Sequence, residues 1–256
     1  MDVHSKTVLI TGASSGIGAA CALGFAAAGA DLILAARRDD RLHELAQNLC
    51  STHDVNVRTQ VLDVRSRDGV KTFVQTLADD GVAIDILLNN AGLASGLATV
   101  QEGDIDDWEA MIDTNVKGLL YLTRAVVPGM VERGSGHVIN IGSIAGHETY
   151  PNGAVYCATK HAVAAINRGL AIDTLGTGVR VSSVDPGLVA TEFSVVRFHG
   201  DQKRAASVYQ GLTPLSAEDV ADAVLFCATR PPHANVREMI LMPTDQAAAV
   251  HVNREE

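Results

Sequence analysis

The strongest constraint on this chain is that a short apolar run, Thr7–Thr11, passes without a break into Gly12-Ala13-Ser14-Ser15-Gly16-Ile17-Gly18 and then into an alanine-rich stretch. A strand, a glycine-rich turn and a helix in immediate succession let backbone approach a phosphate at the positive end of the helix. Glycine-rich turns can also serve strand-to-helix packing alone, so the reading rests on the flanking strand and helix. No charged residue lies between Thr7 and Ala30. The glycines nonetheless interrupt the run, so it reads as a buried strand, a turn and a helix, not as a signal peptide or membrane span.

Similar short, unalternating apolar runs recur at Asp31–Ala35, Val55–Leu62, Ile84–Asn89, His137–Ile141, Arg180–Asp185 and Glu238–Leu241. Stretches with helical spacing lie between them, at Arg41–Cys50, Arg67–Ala78, Ile105–Glu132, Ala154–Thr174 and Ala217–Ala228. This alternation predicts an α/β fold, a doubly wound parallel sheet of seven strands (a Rossmann fold) covered on both faces. With 256 residues, 47% of them hydrophobic, and no linker or repeat, a single domain over residues 1–256 is expected. The segment Pro186–Pro214 carries no strand pattern and ends before a helix opened by Ser216-Ala217-Glu218-Asp219. It leaves the carboxyl end of the sixth strand, where such sheets bind ligands, and is predicted to be a substrate lid.

The charge pattern excludes several partners. Thirty acidic residues against 20 basic ones give a net charge of -10, with no basic run, which argues against nucleic acid and anionic membranes. Cys21, Cys50, Cys157 and Cys227 form no C-x-x-C pair and the histidines are scattered, so neither a metal site nor a disulfide framework is expected, and a reducing cytoplasm fits best.

The second strand ends in Leu34-Ala35-Ala36-Arg37-Arg38. A NAD site usually offers a carboxylate there to the ribose 2′-hydroxyl, whereas guanidinium suits a 2′-phosphate. NADP (NADPH) is therefore the expected cofactor, bound by Arg37. Arg38 divides evenly between that role and an ordinary surface position.

Further along lie Asp63-Val64, Asn89-Asn90-Ala91-Gly92, Asn115, Ser143, Tyr156-x3-Lys160 and Pro186-Gly187. With the glycine loop, in this order and over nearly the whole chain, they resemble the short-chain dehydrogenase/reductases. The resemblance implies a catalytic set of Asn115, Ser143, Tyr156 and Lys160. Tyrosine is ordinarily too weak an acid to exchange protons near neutrality. On one helix Tyr156 and Lys160 share a face, so the ammonium is expected to lower the phenol pKa and to reach the nicotinamide ribose. Ser143 is expected to hydrogen-bond the substrate oxygen, and Asn115 to match the family's water-holding asparagine. The resemblance places the cofactor against Gly12, Ser14, Ser15, Gly16, Ile17, Gly18, Asp63, Val64, Asn90, Ala91, Gly92, Tyr156, Lys160, Pro186, Gly187, Val189 and Thr191. Asp63 could instead cap a helix.

Three further stretches, Asp107–Asn115, Thr123–Arg133 and Thr191–Phe198, are similar to the 3-hydroxy acid (serine or malonic semialdehyde) dehydrogenases and the sulfoacetaldehyde reductases. That likeness implies a small carbonyl or alcohol substrate bearing carboxylate or sulfonate, and a homotetramer. Arg197, in the expected lid, is the candidate reader of that charge alongside Ser143 and Tyr156. Its alternative is a surface arginine paired with Glu192 or Asp201. His147 is expected to border the pocket, and the tail Pro243–Glu256 offers no aromatic to line one. Two other functions stay open: reduction of an uncharged carbonyl compound or secondary-metabolite ketone, and a non-catalytic NADP sensor.

Overall fold

Consecutive apolar residues in a strand can all be buried only if both faces of the sheet are covered, and the computed structural model shows that arrangement. It describes residues 2–255; Met1 and Glu256, the ends of the expected domain, lie outside the described residues. In β1 (Thr7–Thr11) Val8 and Ile10 join one core and Leu9 the other, all three fully buried. The other strands are β2 (Asp31–Ala36), β3 (Val57–Val61), β4 (Ile86–Asn89), β5 (Gly136–Ile141), β6 (Val179–Pro186) and β7 (Glu238–Leu241). All pair in parallel, in the order β3-β2-β1-β4-β5-β6-β7. The fold expected from the sequence is the fold found.

Helices α1 (Gly16–Ala27), α2 (Asp39–Thr52), α3 (Arg67–Asp79), α4 (Ile105–Ile112), α5 (Leu119–Arg133) and α6 (Ala154–Asp173) connect the strands, and α7 (Phe193–Arg197), α8 (Gln202–Ser207) and α9 (Ala217–Ala228) follow β6. Phe25 of α1 and Val220 and Val224 of α9 pack on Val8, Ile10, Leu32 and Leu34. On the opposite face Val70, Phe73 and Leu77 of α3 and Leu122, Val126 and Met130 of α5 cover Leu9, Ile33 and Leu87. Helix α9 opens with the expected capping box, Ser216 and Asp219 exchanging hydrogen bonds of 3.1 and 2.8 Å.

Two elements depart from expectation. The Val55–Leu62 run yields a shorter strand, β3, which is half exposed because it forms the sheet's edge. The helix expected over Ile105–Glu132 is interrupted: residues Asp113–Gly118 form a π-helical segment between α4 and α5. Such an insertion costs hydrogen-bond geometry and is common at functional sites. Beyond Pro186 the excursion to Pro214 holds no strand of the sheet, as expected; it carries α7 and α8, and a bridge from Val189 to Leu215 closes its base.

Deep in the sheet, His137 Nε2 meets Ser182 Oγ at 2.8 Å while Nδ1 has no partner. Burial, with the nearby Arg180, holds its pKa well below 6.5. The unfolded chain therefore binds this proton at higher pH than the folded one, so stability is retained above about pH 6.5 and lost as pH falls below it. His137→Gln is expected to flatten that acid-side fall in unfolding free energy, by up to about 1.4 kcal/mol per pH unit. Unchanged pH dependence in thermal unfolding would exclude His137 as its source.

Candidate active site

In a doubly wound sheet the chain leaves the strands in opposite directions where their order reverses, here between β1 and β4, and opens a crevice at their carboxyl ends. A cavity of about 540 Å³ lies there. The glycine loop contributes Gly12, Ser14, Ser15, Gly16 and Ile17 to its wall, and the end of β2 contributes Arg37 and Arg38. Asp63 and Val64 follow β3, Asn90, Ala91 and Gly92 follow β4, and Ser143 follows β5. Tyr156 and Lys160 enter from α6, and Pro186, Gly187, Val189, Thr191 and Arg197 come from β6 onward.

Gly18 and Asn115 do not line the cavity, and each has a supporting place instead. A Cβ on Gly18 would collide with the Gly12 carbonyl and Asn90 Nδ2. Asn90 Nδ2 donates to the Thr11 and Gly12 carbonyls at 2.8 and 3.2 Å, which draws the β4 loop onto the glycine loop. Gly12 (φ +65) and Gly16 (φ +53) take left-handed backbone there, and a Cβ at Gly16 would sit 3.3 Å from Thr191. The π-helical segment turns Asn115 inward. Its Oδ1 accepts from Leu93 N at 2.9 Å, and its Nδ2 donates to Leu93 O at 2.8 Å and Thr159 Oγ1 at 3.1 Å. Both ends of that amide are engaged by protein.

At the adenosine end Arg37 is exposed and, among the described residues, makes no hydrogen bond or ion pair. Arg38 is committed: it donates to Ser14 Oγ at 3.2 Å and Ser15 Oγ at 2.5 Å, and pairs with Glu192 at 2.9 Å. Arg41 also pairs with Glu192, at 2.8 Å, and the two guanidinium groups hold that carboxyl down at about 2. No acidic side chain stands in the first turn of α1. The glycine cradle, the open helix end and the unpaired Arg37 fit a dinucleotide bearing a 2′-phosphate. Asp63 is no helix cap: Ser66 caps α3, and Asp63 is gripped by Arg65 at 3.0 and 2.6 Å, which lowers its pKa.

At the nicotinamide end Tyr156 and Lys160 are 8% and 7% exposed, and the Lys160 ammonium lies 6.0 Å from the Tyr156 ring centre. Lys160 Nζ donates to the Ile141 carbonyl at 2.9 Å. Burial pushes it down to about 8, against the pull of Asp185. The expected lowering of Tyr156 by Lys160 is not found in this geometry. Burial raises the phenol above its ordinary value, and Ser143, through a hydrogen bond, and Arg197, through charge, oppose it. Ser143 also accepts from Ala145 N at 3.1 Å, which fixes its turn.

Arg197 stands inside the site. Its Cζ is 5.4 Å from the Tyr150 ring centre and 5.6 Å from that of Tyr156, and its Nη2 donates to Tyr150 Oη at 3.0 Å. It pairs with neither Glu192, taken by Arg38 and Arg41, nor Asp201, which caps α8. Sequence reasoning missed Tyr150 as its partner. It also missed Gln246, Ala249 and Val250, through which the C-terminal tail lines the cavity. Their place depends on distant bonds, from Leu188 N to Gln246 Oε1 and from Ala249 N to Glu148 Oε2, each 2.8 Å. His147, expected at the pocket, turns away from the cavity toward Asp185.

A family model described as short chain dehydrogenase matches residues 6–201. Over 99% of its length the chain is 45% identical to the NADP-dependent 3-hydroxy acid dehydrogenase of Schizosaccharomyces pombe, covering 98% of that protein. It is 46% identical to sulfoacetaldehyde reductase 2 of Chromohalobacter salexigens, over 98% of this chain and 100% of that one. The closed form of serine dehydrogenase complexed with NADP+ superposes with a TM-score of 0.90 at 45% identity, covering 97% of this chain and 100% of that one.

The depressed pKa of Lys160 has a thermodynamic sign. The unfolded chain keeps this proton up to about 10.5, whereas the folded one releases it at about 8, so folding gains stability as pH rises between those values. Lys160→Met is expected to raise the thermal midpoint of the cofactor-free protein at pH 7, by a free energy on the order of 3 kcal/mol, and to lose that advantage by pH 10. A midpoint lower than wild type at both pH values would mean that the ammonium is not under strain.

Proposed function

The chain belongs to the short chain dehydrogenase family, and on that premise we propose that it is an NADP-dependent oxidoreductase interconverting a small aldehyde or ketone and its alcohol. The substrate class we propose is anionic: a 3-hydroxy acid with its semialdehyde, or a sulfoacetaldehyde-type compound. The observation that carries this choice is Arg197, a guanidinium with no carboxylate partner among the described residues, held over Tyr156 by Tyr150. A protein of net charge -10 repels a small anion at long range, so the site needs a local cation. The relatives' names point the same way.

The nicotinamide, when bound, supplies or accepts the hydride. Tyr156 gives the proton to the carbonyl oxygen in reduction and takes it back in oxidation, while Ser143 donates a hydrogen bond to that oxygen. Lys160 holds the ribose, while Ser143 and Arg197 are the groups that oppose the effect of burial on the phenol. Asn115, through Leu93 and Thr159, fixes the backbone beside Lys160. Arg37 neutralises the 2′-phosphate. Residues 186–214, with α7 and α8, form the lid over a single dinucleotide-binding domain and bring Arg197 to the substrate.

The reading extends to a cytoplasmic homotetramer. No described helix is long and apolar enough to cross a membrane. Ile105, Ile112, Leu120, Ile172 and Leu175, on or beside α4 to α6, are 64%, 41%, 41%, 70% and 85% exposed, an apolar surface that a second copy would cover.

Arg197→Ala is expected to lower kcat/KM for a 3-hydroxy acid or a sulfonated aldehyde about tenfold to a hundredfold, since a charged hydrogen bond contributes about 1.5–3 kcal/mol. A neutral aldehyde of similar size should be barely affected. Equal losses for both substrates would mean that Arg197 shapes the lid without reading charge, and would favour the uncharged-carbonyl reading.

A further inference from the structure

Asp185 is a charged side chain for which the proposed chemistry has no use, yet it is 1% exposed at the carboxyl end of β6, directly behind the Ser143 turn. Its Oδ2 accepts from His147 Nε2 at 2.7 Å, and its Oδ1 accepts from the Ser183 hydroxyl. A Cβ at Gly142 would collide with Oδ1, so the carboxylate lies directly against that backbone. On the other side of the same stretch, Lys160 Nζ is bonded to the neighbouring Ile141 carbonyl at 2.9 Å. A Cβ at Gly146 would stand 2.8 Å from the Lys160 carbonyl. The turn that carries Ser143 is thus wedged between α6, which brings the ammonium, and β6, which brings the carboxylate.

The charged groups around this wedge come from four elements. Asp185 is on β6, His147 follows the Ser143 turn, Glu238 is on β7, and Arg168, Tyr156 and Lys160 itself are on α6. Glu238 lies 3.8 Å from His147 Nε2 and is paired with Arg168 at 3.0 Å. On the Gly92 and Asn115 side the facing groups are neutral. Asp185 is therefore the carboxylate left to balance Lys160. His147, Asp185 and Glu238 bring their donor atoms within 4.8 Å of one another, but the first two are already hydrogen-bonded and the third is held by Arg168.

We propose that Asp185, clamped by His147, is a positioning residue for this site: it supplies the counter-charge that keeps the buried Lys160 protonated and fastens the Ser143 turn against β6. The two functions share one carboxylate because the same backbone stretch separates it from the ammonium. The inference rests on the reading of Lys160 as a working residue. Burial alone pulls the ammonium toward its neutral form, and Asp185 acts against that. Burial raises the Asp185 carboxyl as well, and the hydrogen bonds from Ser183 and from His147, the latter at 2.7 Å, oppose that and keep it ionised.

The test is a titration of Lys160 itself, by NMR of lysine carrying 13C at Cε, its signal assigned by its loss in Lys160→Arg. Asp185→Asn keeps the size of the side chain and removes the charge. It is expected to lower the Lys160 pKa by about one unit, a tenfold change in the charged fraction at a given alkaline pH. His147→Leu removes a donor that keeps the carboxylate ionised and is expected to lower the Lys160 pKa too, by less than Asp185→Asn does. A general loosening of the turn would hydrate Lys160 and raise its pKa, so a downward shift in both variants is the opposite of that effect, and His147→Leu gives a reading even if Asp185→Asn folds poorly. An unchanged Lys160 pKa in either folded variant overturns the proposal. The alkaline limb of kcat/KM, measured on the same variants, should follow the titration. If the titration moves and the limb stays, the counter-charge stands and the working role of Lys160 fails.

Discussion

The structure depends on the close approach of two loops at the point where the sheet reverses its order. β1 and β4 are neighbours, and Asn90 ties the carboxyl end of one to the glycine loop of the other through two backbone carbonyls. That contact requires Gly12 and Gly18, because a Cβ at either would meet Asn90. Once made, it opens the start of α1 to the crevice with no acidic residue in that first turn, and the nearby Glu192 is already paired with Arg38 and Arg41. The remaining site residues are then placed by the strands on either side, since every strand delivers its carboxyl end to the same edge.

A second constraint is the burial of charge. Lys160 is bonded to the Ile141 carbonyl and, among the described residues, makes no ion pair, and the neighbouring phenol is raised by burial as well. Groups at the border of such a site bias its protonation. Arg197 acts on Tyr156 from the side of the α7 segment, and Asp185 acts on Lys160 from behind the Ser143 turn. Acid/base residues that burial biases toward their neutral forms gain most from such neighbours, because one charge shifts the balance between two protonation states.

What the sequence made legible follows from what periodicity and spacing can carry. Unalternating apolar runs reported the parallel sheet because both faces are buried, and the spacing of Tyr156 and Lys160 reported a shared helix face. An edge strand weakens that signal, so Val55–Leu62 overran β3. A π-helical insertion adds residues without changing apolar content, so the Ile105–Glu132 stretch read as one helix although Asn115 depends on its interruption. Arg38, Asp63 and His147 were placed near the site by their position in the chain, but their side chains are decided by partners many residues distant or by a neighbouring arginine. Gln246, Ala249 and Val250 reach the cavity because Leu188 and Glu148 hold the tail there, and no local pattern encodes such long-range hydrogen bonds.

The central claim is that one phenol, buried at the end of this crevice, moves the proton in the reaction. Turnover and cofactor affinity, measured together on Tyr156→Phe, test it most directly, because the substitution removes the hydroxyl and keeps the ring that packs edge-on against Phe193 at 5.7 Å. Loss of the proton donor alone should lower kcat by about a hundredfold to ten-thousandfold and leave the Kd for NADPH nearly unchanged. Turnover within a few-fold of wild type, with NADPH still bound, would contradict the assignment of Tyr156.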